Sequence, residues 1–168
     1  MDRLWSPSRL DYIEGPKDKT TCVFCAHAED ARSRLNPDSL VLAAGSHAYI
    51  VLNRYPYNNG HLMVVPYRHT STLTELERDE LTELMLFTQR SEQALRDAYP
   101  LEGINIGLNL GKAAGAGIEE HLHIHLVPRW HGDTNFMTVV GETRVLPEDL
   151  PSTAKRLRPV FMRLAAES

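Results

Sequence analysis

The chain has 168 residues and only two cysteines, Cys22 and Cys25. Two thiols this close in sequence cannot build the disulfide framework of a small secreted scaffold. Basic residues are not in excess: 18 Lys and Arg face 22 Asp and Glu, for a formal net charge of −4. No global positive field therefore favours nucleic acid, and the scattered Lys and Arg make no polybasic membrane patch. No apolar run approaches membrane-spanning length. The N-terminus, Met1-Asp2-Arg3-Leu4-Trp5-Ser6-Pro7, lacks the apolar core of a signal peptide, so a cytoplasmic protein is expected. Internal repeats and a domain boundary are also missing. What remains is the composition of an ordinary globular protein, 42% hydrophobic and 24% charged, expected to fold as one domain over residues 1–168.

Residues 1–21 are polar and broken by Pro7, Gly15 and Pro16, and read as an N-terminal arm. Leu40 to Ala44 and Ala48 to Asn53 are β-rich runs separated by Gly45-Ser46-His47, the pattern of a hairpin. Asn53 to Gly60 is rich in Pro, Asn and Gly and reads as a loop, followed by a strand from His61 to Pro66. Thr74-Glu75-Leu76-Glu77 has the capping-box form. Leu81, Leu84, Met85, Ala94, Leu95 and Ala98 then predict a long helix that Pro100 ends. Ile104 to Leu108 predicts a strand, Gly111 to Gly117 a small-residue loop, and Asn135 to Val140 a short strand. After Pro151, Leu157, Val160, Phe161 and Leu164 mark a C-terminal amphipathic helix. Several connections are too short for repeated parallel crossovers. The expected class is α+β with a mainly antiparallel sheet.

The most informative run is His121-Leu122-His123-Ile124-His125-Leu126-Val127. As a strand it puts three imidazoles on one face and three apolar side chains on the other. Imidazoles titrate near neutrality and offer a nucleophilic ring nitrogen. A plainer reading is a polar, solvent-facing strand face. A three-histidine metal site is a further reading, although three successive same-face residues line up rather than surround an ion. Flanking histidines around a nucleophile suit phosphoryl chemistry better. Cys22-Val23-Phe24-Cys25, read alone, is a redox pair, half a zinc site or chance. Nothing near it suggests a strand leading into a helix that opens with the pair. His27, His47 and His131 read as surface histidines. Asn53, read alone, is a turn residue before Pro56.

The triad run, together with Asn53-Arg54-Tyr55-Pro56 and Gly60-His61-Leu62-Met63-Val64-Val65-Pro66, resembles the histidine triad (HIT) superfamily of nucleotide-binding hydrolases and transferases. The resemblance spans about Cys22 to Arg129. It implies a HIT-like fold with an antiparallel sheet of about five strands and a long helix, paired as a homodimer that extends the sheet. It also implies that His123 is the nucleophile at an α-phosphorus, that His125 contacts the phosphate or leaving-group oxygen, and that His61 buttresses the cluster. Asn53 matches a ribose-contacting residue. Asn109, Lys112, Gly115, Ala116 and Gly117 fill the place of the phosphate loop, where small residues let backbone N–H groups approach an anion. Many members carry a glutamine here; this chain has Gly115-Ala116-Gly117 and none.

Pro128-Arg129-Trp130-His131-Gly132-Asp133 and the upstream Asn-Arg-Tyr-Pro-Tyr-Asn resemble the bacterial branch that phosphorolyses diadenosine tetraphosphate. That implies a nucleotide substrate and inorganic phosphate as acceptor, with no organic cofactor. Hydrolysis of the same substrates or of nucleoside phosphoramidates, and a non-enzymatic nucleotide-binding role, are the alternatives. In some relatives a histidine at the place of His69 and the first triad histidine join the cysteines on zinc. This assigns Cys22, Cys25, His69 and His121 to a structural zinc site.

Overall fold

A computed structural model describes residues 22–33, 39–133 and 148–167. Five strands, β1 (Val41–Ala44), β2 (Ala48–Leu52), β3 (Leu62–Pro66), β4 (Gly103–Leu108) and β5 (Ile124–Arg129), form one antiparallel sheet in the order β1-β2-β3-β5-β4. Among the described residues three helices accompany it: α1 (Val23–Ser33), α2 (Arg78–Ala98) and α3 (Leu150–Ala166). The expected α+β class, five-stranded antiparallel sheet, long helix and C-terminal helix are all present. Among the described residues no helix is long and apolar enough to cross a membrane.

Every residue of β2 and β3 is buried, because helices cover both faces of the sheet. On one face Ile50, Leu52, Val64, Ile124 and Leu126 pack against Leu84, Phe87 and Leu95 of α2 and Leu157 and Phe161 of α3. On the other, Tyr49, Val51, Met63 and Val65 pack against Phe24, Ala28 and Ala31 of α1. Each large side chain so buried stabilises the fold by about 1.5–3 kcal/mol relative to exposure. The Tyr49 hydroxyl donates to the Phe24 carbonyl at 2.6 Å, which ties α1 to the sheet inside this second core.

Several expectations change. α1 has no counterpart in the sequence reading, and it opens at the cysteine pair. Its buried face is Phe24, Ala28 and Ala31, at i, i+4 and i+7. The histidine run is not all strand: β5 begins at Ile124, so only His125 of the triad enters the ladder, opposite Met63 on β3 and Gly107 on β4. β3 ends at Pro66, so the chain before Ile124 pairs with the following turn instead. There the Leu122 N–H donates to the Thr70 carbonyl at 2.6 Å.

The capping box forms one turn later than expected. The Thr74 hydroxyl pairs with that of Thr72, in a 3₁₀ turn over Leu73–Glu75, while the Glu80 carboxylate accepts the Glu77 N–H at 2.8 Å. Met85 points outward, 59% exposed, because the buried face of α2 follows Leu84, Phe87, Thr88, Ser91 and Leu95. A 3₁₀ turn over Lys112–Ala114 lies inside the small-residue loop. The N-terminal arm and the strand expected at Asn135–Val140 lie outside the described residues.

Candidate active site

β3 and β5 bring the histidines together. His61 immediately precedes β3, and the paired residues Met63 and His125 point to the α1 face of the sheet. His121 and His123 approach the same face from the segment ahead of β5. Phe24 of α1 packs on both, with ring centroids 5.4 Å from His121 and 4.7 Å from His123. The His123 and His125 rings meet edge-on at 4.7 Å.

Hydrogen bonds fix the proton on each ring. The Tyr57 N–H donates to His61 Nδ1 at 3.1 Å, so that nitrogen is an acceptor. A neutral His61 then carries its proton on Nε2, which donates to His125 Nδ1 at 2.9 Å. His125 in turn carries its proton on Nε2. His123 Nδ1 donates to the His121 carbonyl at 2.8 Å, which leaves a lone pair on His123 Nε2. His121 Nε2 donates to the Pro66 carbonyl at 2.9 Å, which leaves its lone pair on Nδ1. Each assignment follows from the donor or acceptor at the other ring nitrogen.

Burial keeps the rings neutral. His61 is pushed down to about 3, first by burial and then by His125 and His123. His125 is pushed down to about 4, by burial and then by His123. Burial also holds His123 below the usual histidine range. A buried cation without a counter-charge is costly, so the free base is the resting form.

A second cluster adjoins the first. Cys22, Cys25, His69 and His121 each offer a ligand atom, and these atoms all lie within 4.8 Å of one another. Cys22 Sγ is 3.4 Å from His121 Nδ1, and Cys25 Sγ is 3.3 Å from His69 Nδ1. Burial and the neighbouring Cys22 sulfur push the Cys25 thiol up, which a bound dication would reverse. Two sulfurs and two imidazole nitrogens make a Cys₂His₂ donor set, suited to tetrahedral zinc. These four residues could bind a metal.

The other expected site residues are placed less tightly. Asn53 Oδ1 accepts the Tyr55 N–H at 2.9 Å, and Asn53 Nδ2 lies 3.3 Å from His61 Nδ1, so the side chain both shapes its turn and touches the cluster. Asn109 Nδ2 donates to the Gly115 carbonyl at 3.5 Å across the glycine loop. Gly115 and Ala116 donate their N–H groups within that loop, to Lys112 and Gly111. Lys112 and Gly117 are exposed, and among the described residues no hydrogen bond joins this loop to the four histidines. Two contributors lack a motif signal. Phe24 is hidden between the cysteines, and the Tyr57 ring stacks at 4.8 Å on His61. His27 is half-buried rather than a surface residue. It lines a cavity of about 780 Å³ with Asp30, Arg54, Ala154, Lys155 and Arg158, where α1, the loop after β2 and α3 meet. His47 is half-buried and His131 exposed.

Comparison with known proteins agrees with this arrangement. The model of the HIT domain family matches residues 34–132. A Mycobacterium tuberculosis protein named AP-4-A phosphorylase is 43% identical over 167 residues, covering 97% of this chain and 86% of that protein. A bis(5'-adenosyl)-triphosphatase of Dictyostelium discoideum is 30% identical over 121 residues, covering 68% of this chain and 80% of its own. The crystal structure of a zinc-bound histidine triad family protein from Mycobacterium smegmatis superposes with a TM-score of 0.68 at 29% identity. It covers 88% of this chain and 98% of that one.

Proposed function

Because the chain belongs to the HIT domain family, we propose that it is a nucleotidyl transferase that cleaves dinucleoside polyphosphates, such as diadenosine tetraphosphate, by phosphorolysis. One observation carries the reading. The hydrogen-bond chain leaves His123 Nε2 with a lone pair and His125 Nε2 with a proton, on adjacent rings.

His123 Nε2 attacks the α-phosphorus. The N–P bond forms as the bond to the bridging oxygen breaks, and the electron pair leaves on a nucleoside triphosphate. The His125 Nε2–H donates to the oxygen on which charge builds. An oxygen of inorganic phosphate then displaces His123, so diadenosine tetraphosphate and phosphate give ATP and ADP. Two transfers through a reactive phosphoramidate replace one, and positioning supplies much of the rate. Asn53 is assigned to the ribose and the glycine loop to the phosphates. Lys112, with Asn109, is assigned to the acceptor phosphate as a point charge. The cavity beside Arg54 has the size of a small-ligand site and is assigned to the nucleoside.

One zinc ion on Cys22, Cys25, His69 and His121 would act structurally, a closed four-ligand site pinning α1 to the sheet. The zinc-bound mycobacterial relative supports this assignment. The protein is also assigned as a homodimer. The test is to incubate it with diadenosine tetraphosphate, with and without phosphate, and identify the products. ADP plus ATP, formed only with phosphate, is expected. AMP plus ATP would replace this reading with hydrolysis, the activity named for the Dictyostelium relative. His123→Ala should lose roughly three orders of magnitude or more in turnover while still binding nucleotide.

A further inference from the structure

Cys22 and Cys25 are placed for more than holding a metal. The Ala26 N–H donates to the Cys22 carbonyl at 3.1 Å, so Cys22 caps α1 and Cys25 lies within its first turn. Residues one helical turn apart have Cα atoms about 5–6 Å apart, inside the window a disulfide accepts. The two sulfurs already lie within 4.8 Å of each other. Neither cysteine is fully buried, and His69 beside them is exposed, so a small solute reaches the pair.

The cluster is also joined to the nucleophile by one residue. His121 faces the sulfurs through Nδ1 and is anchored at Nε2 by Pro66. The backbone carbonyl of His121 accepts the Nδ1–H of His123, the bond that sets which nitrogen of His123 is free.

We propose that Cys22 and Cys25 form a reversible oxidation site at which a hydroperoxide switches off the histidine centre by releasing the metal. The inference rests on the zinc assignment above. The two thiolates give two electrons to hydrogen peroxide. An S–S bond forms, the O–O bond breaks, and with two protons taken from solvent two water molecules leave. The disulfide sulfurs are no longer thiolate donors, so only His69 and His121 remain, too few to retain zinc. His121 is then held at Nε2 alone, so the carbonyl that accepts the His123 Nδ1–H is freer to move and His123 is less confined to one tautomer. A thiol reductant restores the two thiols.

The experiment treats zinc-loaded protein with a small excess of hydrogen peroxide. Four quantities are followed: released zinc, free thiols, the ¹⁵N imidazole spectrum of His123, and turnover. Zinc should be released as both thiols disappear. His123 should pass from a single Nδ1–H form to a tautomer mixture. Turnover should fall ~10–100-fold, the usual effect of removing support behind a site residue. Reductant plus zinc should reverse all four changes. Cys25→His keeps four possible ligands but cannot form the disulfide. Its zinc content and His123 spectrum, each compared with its own untreated state, should resist peroxide. Zinc retained through oxidation overturns this inference alone. So does zinc released with the His123 spectrum unchanged. Protein unable to take up zinc in either state overturns the zinc assignment as well.

Discussion

His61 is 1% exposed and, among the described residues, has no acidic hydrogen-bond partner, so protonation there means burying an uncompensated charge. Its folded pKa of about 3, and that of His125 of about 4, lie below the ordinary 6.5 of the unfolded chain. Above pH 6.5 both states are neutral at these rings and stability is unaffected. As pH falls below 6.5 the unfolded chain takes up protons that the folded chain refuses, so stability falls until each folded pKa is reached. By pH 5 the loss should be on the order of 2 kcal/mol per ring. Thermal unfolding between pH 7.5 and 5 reads the summed effect of the buried histidines, His27, His121 and His123 included, since most carboxylates titrate lower. His61→Gln should flatten the slope, and an unchanged slope would remove His61 from the cause. A rate that depends on the proposed roles of His123 and His125 should, by contrast, hold somewhat below pH 6.5 in a pH–rate profile, because burial keeps these rings neutral there. In the sequence the histidines are legible as a group with a shared face. Their proton positions are not, because those depend on the Tyr57 N–H and the Pro66 carbonyl, groups every residue carries.

Among the elements, the β1–β2 hairpin depends on α2 more than on its own turn. The Glu83 carboxylate accepts three backbone N–H groups, from Ser46 at 3.0 Å, from His47, and from Ala48 at 2.7 Å. Gly45 lets it approach, since a Cβ there would lie 2.5 Å from the carboxylate. Glu83→Ala leaves three amide donors without this acceptor and should cost about 2–3 kcal/mol. A chemical denaturation midpoint converts to that quantity, and a loss within the ~0.5 kcal/mol of ordinary surface changes would discard the role. Gly60 works differently. Its φ of +75° turns the chain into β3, and a Cβ would meet Tyr99 at 3.0 Å. The hairpin, β3, β4 and the long helix were readable because their apolar residues repeat at strand or helix period. α1 was not, because two of its three buried residues are alanines, which carry little periodic signal beside polar neighbours. The start of β5 is hidden for the opposite reason. The alternation runs on past the point where β3, stopped at Pro66, can pair with it.

At the scale of the molecule, β4 is an edge of the sheet among the described residues. Among the described residues that strand pairs only with β5, and Ile106 on it is 46% exposed. An apolar edge of this kind invites another strand. The proposed homodimer would use it, extending the sheet across two copies. Light scattering should give twice the chain mass, and Ile106→Asp, a charge on the edge, should shift it to the monomer; a monomeric parent protein would end this assignment. The four-ligand cluster bears on the whole chain in another way. Its members are drawn from distant parts of the chain: Cys22 and His121 stand 99 residues apart. A cation held there would close a loop of most of the chain, restricting the unfolded ensemble by roughly 4–5 kcal/mol on the cross-link argument. It would also fix an order of assembly. A growing chain that has emerged only to Glu120 offers three donors and lacks the proposed nucleophile. The fourth donor, His121, and the proposed nucleophile, His123, appear within three residues of each other, so both become available together, before Leu157 and Phe161 of α3 are made to complete the core.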